Sequence, residues 1–234
     1  MSFLTENMDT IINADCMDML KQLPDKCVDL VLTDPPYGMN FKSNRRTKKF
    51  NKIENDNNLS WLPQWVNEIN RIKKDDSHLY IFCSWHNVDV FKQEIEKYFP
   101  VKNILIWLKN NTGMGDLAND YAPQYELILY CNPNKKSLNG SRDSTIIKYS
   151  RTNNEFHPTQ KPVDFISYLI KKSSKENDLV LDCFSGSGTT AVASHKLGRH
   201  FICVEKDPDY WAASVKRLDE ERRQMTIFDV LGRN

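Results

Sequence analysis

The sequence predicts an α/β protein in which helices flank a doubly wound, mostly parallel sheet. Two observations support this fold class. Short apolar runs of strand length alternate along the chain with segments whose apolar residues recur at helical spacing. The run at 78–85, HLYIFCSW, is largely apolar, as expected of a strand covered on both faces. Because most strand-like runs are followed by a helical pattern, repeated strand–helix units and a parallel sheet are expected.

The individual elements follow from the local patterns. Strands are expected at 28–32, 78–85, 103–107, 125–131, 178–183 and 201–204. Helices are expected at 61–72, at 88–98, from 163 to 170, from the glycine-rich turn at 184–188 to 197, and from 208 onward. Pro162 suits a first helical turn, and Asp207-Pro208 is typical of an N-cap followed by the first helical residue.

Residues 132–156 interrupt this alternation. The segment is polar and has no clear period, which predicts either a loop-rich insert or a small recognition element. Neither an internal repeat nor a long linker divides the chain. The sequence therefore predicts a single domain over residues 1–234, with an insert at about 132–156.

Composition is that of an ordinary soluble globular protein, with 40% hydrophobic residues and a net charge of +1. No apolar run has the length of a membrane span, and the N-terminus lacks the layout of a secretory signal, so we expect a cytoplasmic protein. The histidines are dispersed and no two cysteines form a C-x-x-C pair, which predicts free thiols and no metal site. The cysteines are Cys16, Cys27, Cys83, Cys131, Cys183 and Cys203.

Positive charge is concentrated at 42–52, KSNRRTKKFNK, where basic residues stand without an acidic one. Such a block is usually a solvated loop, and the alternative is contact with nucleic acid. The basic residues are Lys42, Arg45, Arg46, Lys48, Lys49 and Lys52. The motif that precedes them, described below, favours the second interpretation.

The segment GSGTTA at 186–191 follows a strand pattern and opens a helix, which fits the G-x-G-x-x-G/A fingerprint of nucleoside-containing cofactors. Glu205 ends the next expected strand, where its carboxylate can hold ribose hydroxyls. NAD and S-adenosylmethionine both satisfy this pattern. A tight turn that binds no ligand satisfies it as well.

The motif DPPY at 34–37 directly follows the first expected strand, a position at which ligands bind in open α/β sheets. An exocyclic amine of a nucleobase is a poor nucleophile because its lone pair is delocalised into the ring. Asp34 can accept one N–H and the carbonyl of Pro35 the other, since the two prolines hold that carbonyl rigidly. Tyr37 offers an aromatic face to a base, worth about 1–3 kcal/mol. A turn that merely ends a strand is the alternative.

Together the two motifs resemble those of the DNA amino-methyltransferases, in the circularly permuted arrangement called the β group. In that group DPPY precedes the cofactor-binding glycine motif, as it precedes FSGSG at 184–188 here, and the recognition region lies between them. The resemblance extends over about residues 9–220 and implies a Rossmann-like, circularly permuted S-adenosylmethionine-dependent methyltransferase fold. It implies a site-specific enzyme that methylates N6 of a flipped-out adenine, because Asp and not Ser begins the first motif.

The resemblance also assigns candidate site residues. The catalytic residues would be Asp34, Pro35, Pro36 and Tyr37. The residues that bind S-adenosylmethionine would be Asp15, Cys16, Thr159, Lys161, Asp182, Phe184, Ser185, Gly186, Gly188, Thr189 and Glu205. Asp15 and Cys16 would line the adenine ring of the cofactor, and Glu205 would hold its ribose. Thr159 and Lys161 would meet its methionine carboxylate.

Several alternatives stay open at this point. The same chemistry could act on cytosine N4 or on RNA, and the glycine turn by itself suits an NAD-linked oxidoreductase. A DNA-binding relative that has lost activity is a further alternative. Methylation of cytosine C5 is disfavoured, because that reaction needs a thiolate, usually from a Pro-Cys pair, and the sequence contains no such pair.

Double-stranded DNA is the expected partner. We expect the basic loop 42–52 to contact phosphates of the target strand, and residues 110–124 and 132–156 to select the sequence. The candidate DNA-reading residues are Arg142, Lys148, Arg151, Asn153 and Asn154. The short insert is compatible with a homodimer. Gln224–Phe228 resembles a sliding-clamp docking peptide, and an amphipathic tail packed on the core explains the same pattern.

Overall fold

The computed structural model describes residues 2–37, 58–113, 118–152 and 160–231, with side chains described up to residue 224. The strands are β1 (Thr10–Asn13), β2 (Val28–Thr33), β3 (Lys73–Cys83), β4 (Val101–Leu108), β5 (Tyr125–Cys131), β6 (Ile146–Lys148), β7 (Leu179–Asp182) and β8 (His200–Glu205). The helices are α1 (Phe3–Asn7), α2 (Cys16–Leu20), α3 (Leu62–Ile72), α4 (Val88–Ile95), α5 (Val163–Ser173), α6 (Thr189–Lys196) and α7 (Pro208–Leu231).

The eight strands form one sheet in the order β1-β8-β7-β2-β3-β5-β4-β6. Strand β5 runs antiparallel to β3 and β4, and the other neighbouring strands pair in parallel. This mostly parallel α/β sheet confirms the predicted fold class. Because β1, β8, β7 and β2 run in one direction, their carboxyl ends meet at one edge of the sheet, where ligands bind in such folds.

Each face of the sheet has its own hydrophobic core, and β2 shows how the strands contribute to both. Val31 belongs to the core that contains Trp65 of α3, whereas Leu30 and Leu32 belong to the core that contains Phe165 of α5. Side chains of successive strand residues point to opposite faces, so a continuous apolar run supplies both cores. This arrangement explains why the central strands were visible in the sequence as uninterrupted apolar runs.

The clearest differences from the predicted elements lie at β3, at α4 and in the insert. The strand expected at 78–85 begins at Lys73, which pairs with Val28 of β2 before a register shift, and it ends at Cys83. The helix expected at 88–98 ends at Ile95. Strand β6 lies inside the polar insert 132–156 and pairs in parallel with β4. A strand of only three residues is too short to show a period in the sequence.

The N-terminal elements α1, β1 and α2 were not predicted individually. Helix α2 begins after Asp15, whose side chain accepts a hydrogen bond from the backbone N–H of Met17 at 2.9 Å. This is ordinary N-capping by an aspartate. The Asp207-Pro208 start of α7 was predicted and is confirmed, since Asp207 Oδ1 accepts from the backbone N–H of Asp209 and of Tyr210.

All six cysteines are free thiols, as predicted. Five are buried and Cys27 is half-buried. Among the helices of the described residues, none has both the length and the apolar character needed to cross a membrane. Within the same residues, no group of three or more His, Cys, Asp or Glu side chains could hold a metal ion.

Gly188 and Gly140 provide a matched pair for testing the glycine turn. Both have a φ of +72°, a conformation that side chains disfavour. A Cβ at Gly188 would lie 2.9 Å from Cβ of Ser214 in α7 and 3.1 Å from Cδ1 of Ile11 in β1, whereas a Cβ at Gly140 would meet nothing within 4 Å. Gly188→Ala therefore suffers a clash that Gly140→Ala does not.

We expect Gly140→Ala to lower the free energy of unfolding by about 1–2 kcal/mol, the cost of the left-handed backbone alone. Gly188→Ala should lower it by a further 1–3 kcal/mol or so, the usual cost of overpacking. Urea denaturation followed by circular dichroism measures both. Equal losses in the two variants would contradict the close packing of the turn against α7 and β1.

Candidate active site

A cavity of about 800 Å³ opens at the edge where the parallel strands end. Its lining includes residues just beyond the carboxyl ends of three strands, namely Asp15 after β1, Asp34 after β2 and Phe184 after β7, together with Glu205 at the end of β8. The two motifs singled out in the sequence therefore meet in one cavity, although they are far apart along the chain.

The glycine turn is tied to β8 by Glu205. The Glu205 carboxylate accepts hydrogen bonds from the backbone N–H of Gly186 at 2.7 Å and from that of Asp207 at 2.9 Å. The backbone N–H of Ser185 donates to the carbonyl of Val204 at 2.8 Å. Burial raises the pKa of Glu205 to about 7, so this carboxyl changes its charge close to neutral pH.

Asp182 supports the same turn from below. Its carboxylate accepts hydrogen bonds from the hydroxyl of Thr190 at 2.6 Å, from that of Thr33 at 2.9 Å and from the backbone N–H of Phe184 at 3.1 Å. These bonds join β2, β7 and α6. Burial raises the pKa of Asp182 to about 6, despite its hydrogen bonds. Asp182 holds the loop between β7 and α6 in place.

Aromatic and small residues form the wall near α2 and α3. The Phe184 ring packs against Trp61, with ring centroids 5.6 Å apart, and against Trp65 at 6.2 Å. Asp15 Oδ2 lies 3.3 Å from the Lys206 amine, which connects the start of α2 to the loop after β8. Burial raises the pKa of Cys16 to about 12, so its thiol is neutral at physiological pH.

The DPPY motif is held from two sides. The Tyr37 hydroxyl donates a hydrogen bond to Asp34 Oδ1, and the Asn87 side-chain amide donates to the backbone carbonyl of Tyr37 at 2.5 Å. Asn87 lies in the loop that follows β3, the neighbouring strand. The motif is thus fixed within itself and against the next strand–helix connection.

A chain of alternating charges surrounds Asp34. The Lys161 amine lies 2.5 Å from Asp34 Oδ2 and 2.9 Å from Glu126 Oε2, and the Lys109 amine lies 2.6 Å from Glu126 Oε1. The Lys161 amine also lies 4.7 Å from the ring centre of Phe82. The Lys161 side chain is 8% exposed, so screening by water is weak at this position.

The opposite charges of the network act against the effect of burial. Burial raises the pKa of Asp34, and the positive charge of Lys161 opposes that rise. At Glu126 burial acts in the same direction, but the charges of Lys161 and Lys109 outweigh it and lower the pKa to about 2. Burial lowers the pKa of Lys161, and the two carboxylates more than reverse this. Lys161 is therefore a buried cation that counters two half-buried acids.

A family model described as DNA methylase matches residues 28–216 of the chain. That span contains both DPPY and the glycine turn. The chain belongs to this DNA methylase family. Membership excludes the NAD-linked oxidoreductase that the glycine turn alone left open, and the family covers methylation of both N6 and N4 amino groups.

Individual relatives of the methylase carry both specificities in their names. The DNA adenine methyltransferase YhdJ of Escherichia coli (strain K12) is 28% identical over 248 residues, which cover 90% of this chain and 82% of that protein. The crystal structure of the M1.HpyAVI–SAM complex is 26% identical, with a TM-score of 0.69, and covers 89% of this chain and 98% of that one. The cytosine-N4-specific PvuII DNA methyltransferase is 19% identical, with a TM-score of 0.70, over 88% and 86% of the two chains.

The described part of the methylase brings most candidate residues together. All four DPPY residues line the cavity, and so do nine of the residues assigned to the cofactor: Asp15, Cys16, Lys161, Asp182, Phe184, Ser185, Gly186, Thr189 and Glu205. Gly188 stands behind this lining as the N-cap of α6. Thr159 lies outside the described residues.

The structure says less about the candidate DNA-binding residues than about the candidate cofactor-binding residues. Lys42, Arg45, Arg46, Lys48 and Lys49 lie outside the described residues, as do Asn153 and Asn154. Arg142 and Lys148 are exposed, and Arg151 is half-buried with its backbone N–H bonded to Asn110. These three arginine and lysine residues do not line the cavity, so their assignment stays a prediction.

Glu126, Lys109 and Asn87 were missed in the sequence. Glu126 offered one signal, since it is a charged residue inside the otherwise apolar run of β5. Such a residue on a central strand needs a partner of opposite charge. Lys161 was expected to meet the cofactor, but its amine contacts Asp34 and Glu126. The contact with Asp34 could not be inferred from a motif match.

Proposed function

We propose that this methylase transfers a methyl group from S-adenosylmethionine to N6 of adenine in double-stranded DNA. The observation that carries the proposal is the position of Asp34. Its carboxylate stands in the same cavity as the glycine turn and Glu205, next to a buried lysine that opposes its protonation. An amine acceptor and a nucleoside-binding turn are thereby brought to one place.

The cavity suits S-adenosylmethionine in its chemistry. Glu205 offers a carboxylate to ribose hydroxyls, and Asp15 with the half-buried Phe184 borders the part suited to an adenine ring. The bound cofactor supplies an electrophilic methyl group. An ammonium has three N–H donors, so Lys161 can contact a methionine carboxylate while it remains bonded to Asp34 and Glu126.

The residues of the chain then position the target amine. Asp34 accepts one N–H of the amine and the carbonyl of Pro35 accepts the other, which exposes the nitrogen lone pair. Tyr37 stacks on the base. Fixing the amine in line with the methyl group can lower the barrier by up to ~7–11 kcal/mol through orientation. The excess proton leaves to solvent or transiently to Asp34. Lys161 favours the ionised form of Asp34 that accepts the amine, because its positive charge opposes the rise in the Asp34 pKa.

Adenine is preferred over cytosine as the target because the first residue of the motif is Asp. The adenine methyltransferase YhdJ supports this choice. Cytosine N4 is the second candidate, because the PvuII cytosine-N4 enzyme shares the fold. Both amines require the same two acceptors, so the chemistry of Asp34 and Pro35 is common to them. Extrusion of the base from the duplex, at a cost of a few kcal/mol, is part of the proposal.

Contacts with partners complete the proposal. The basic loop 42–52 contacts phosphates, which makes binding dependent on salt. Arg142, Lys148 and Arg151 read bases. A homodimer and a sliding-clamp contact through Gln224–Phe228 remain predictions. The latter segment belongs to helix α7, so docking as an extended peptide would require that end of the helix to unwind. We expect the methylase to act in the cytoplasm.

A substrate comparison tests the proposal. Methyl-labelled S-adenosylmethionine is incubated with mixed-sequence duplex DNA and, separately, with RNA of the same composition. We expect label in the DNA alone. Label in the RNA alone would contradict DNA as the substrate and identify RNA in its place. Cofactor binding without transfer to either would identify an inactive relative.

The pKa of Glu205 predicts how cofactor affinity depends on pH. A carboxyl with a pKa of about 7 is mostly protonated at pH 6 and mostly ionised at pH 8, and only the ionised form accepts strong hydrogen bonds from both ribose hydroxyls. We expect the affinity for S-adenosylmethionine to rise about tenfold over this range. Isothermal titration calorimetry at several pH values measures it.

Glu205→Gln is the matched control for this pH dependence. The variant keeps an oxygen that can accept from Gly186 but has no charge to titrate, and it should bind about 10- to 100-fold more weakly at pH 8. Because the cofactor has titratable groups of its own, the difference between the two proteins is the informative quantity. Parallel pH profiles for the wild type and the variant would show that Glu205 does not contact the cofactor.

A further inference from the structure

The loop between β3 and α4 carries an aromatic pair at the cavity that neither motif explains. The rings of Trp85 and His86 are stacked with centroids 3.8 Å apart and an angle of 28° between their planes. Trp85 is 59% exposed, the most exposed tryptophan among the described residues. Both residues belong to the lining of the cavity. A large apolar ring held open to solvent at this place has no role in the cores.

Hydrogen bonds within the loop and to the catalytic motif support the pair. The Ser84 hydroxyl is bonded to His86 Nδ1 at 3.0 Å and accepts the backbone N–H of His86 at 3.3 Å. The next residue, Asn87, donates its side-chain amide to the carbonyl of Tyr37. The loop that carries the two rings is therefore anchored to DPPY.

The surroundings extend the same surface. Cys83 pairs with Leu127 in the antiparallel β3–β5 ladder, so the chain beyond β3 runs beside the start of β5. Tyr125, at that start, is 42% exposed and also lines the cavity. Exposed aromatic rings are the groups on which bases of unpaired nucleic acid stack.

We propose that Trp85, backed by His86, stacks a nucleobase of the substrate DNA that flanks the target base. This inference rests on the proposed function and adds a second base-binding position, separate from the one at Asp34 and Tyr37. A flanking base fits because Trp85 lines the same cavity in which Asp34 receives the target amine. Stacking on an indole does not read base identity, so the site supplies affinity and not sequence choice.

The test compares Trp85→Ala and Trp85→Phe with the wild type on a duplex that contains a mapped methylation site. We expect Trp85→Ala to raise KM for DNA by about 10-fold or more, with a smaller effect on kcat and no change in affinity for S-adenosylmethionine. Trp85→Phe should regain most of the lost affinity, because it restores a stacking ring. Tyr98→Ala, which removes a 40% exposed ring just beyond α4, is the matched control and should behave as the wild type.

Abasic substitutions identify the stacked base. In the wild type, removing one flanking base should raise KM about as much as Trp85→Ala does, and the two changes together should add nothing further. An unchanged KM in Trp85→Ala would overturn the inference. So would an abasic substitution series in which every flanking position raises KM equally in the wild type and in Trp85→Ala. Failure of the proposed function looks different, since the wild type would then methylate no duplex at all.

Discussion

Asp34→Asn should lower the single-turnover rate of methyl transfer by about 10²- to 10⁴-fold while the protein stays folded. The amide has nearly the shape of the carboxylate but loses the charge that accepts the amine N–H, and one of its two acceptor atoms becomes a donor. Loss of a charged hydrogen bond and of amine alignment together amounts to about 3–5 kcal/mol of barrier. Rapid-quench measurements at saturating cofactor and DNA give the rate of the chemical step.

Asp89→Asn is the matched control for this substitution. Asp89 is an exposed aspartate in the first turn of α4, so the change has the same chemistry away from the cavity. Asp89→Asn should retain the wild-type rate, and both variants should bind S-adenosylmethionine normally. A rate within threefold of wild type in Asp34→Asn would remove Asp34 from the catalytic role.

Lys161→Met should destabilise the protein by about 3–5 kcal/mol at neutral pH, because it removes a buried cation shared by two half-buried carboxylates. The pKa of Glu126, now about 2, would rise, and the pKa of Asp34 would rise further. Methyl transfer should then require a higher pH, since Asp34 must be ionised to accept the amine. Urea denaturation and pH–rate profiles measure the two effects.

The sign of the pH dependence of stability follows from the two acids. The lowered pKa of Glu126 contributes stability above its unfolded value near 4.5, and this contribution is lost as the pH falls toward 2. The raised pKa of Asp34 contributes stability that is fully present below its unfolded value near 3.8 and is lost as the pH rises through the folded pKa. Without Lys161, the ionised forms of Glu126 and Asp34 lose the positive charge that stabilises them in the folded state at high pH. The difference in unfolding free energy between wild type and variant should therefore be largest above about pH 5 and shrink in acid.

Lys26→Met is the control for a lost ion pair. Lys26 and Asp75 are each 63% exposed, and an exposed pair contributes less than about 1 kcal/mol. Lys161→Arg should restore most of the stability, because it restores the positive charge. The account of the network would be wrong if Lys161→Met and Lys26→Met had equal costs at neutral pH.

The fold was predictable where the apolar pattern of a segment by itself decides its secondary structure. Strands β2, β5, β7 and β8 are apolar runs covered on both faces, so their composition alone revealed them. Strand β6 was missed because its three residues are held by pairing with β4 and not by their own pattern. The polar start of β3 was missed for the same reason. A local sequence pattern does not predict which distant segments pair as strands.

The candidate site divides in the same way. DPPY and the glycine turn are contiguous motifs, and both were found from the sequence. Lys161, which pairs with Asp34, comes from the segment before α5 and also binds Glu126 of β5. These residues meet only because the sheet brings their segments to one edge. Asn87 reaches Tyr37 across a neighbouring connection. These contacts depend on topology, so spacing along the chain did not predict them.

The central claim is that Asp34 and Pro35 direct methylation of an adenine amine in DNA. Its most direct test is incubation of the wild-type protein with methyl-labelled S-adenosylmethionine and mixed-sequence duplex DNA, followed by mass spectrometry of the released nucleosides. We predict label in N6-methyladenine. Label in N4-methylcytosine would contradict the assignment of the base and keep the chemistry. Label at carbon 5 of cytosine, or in no nucleoside, would contradict the central claim itself.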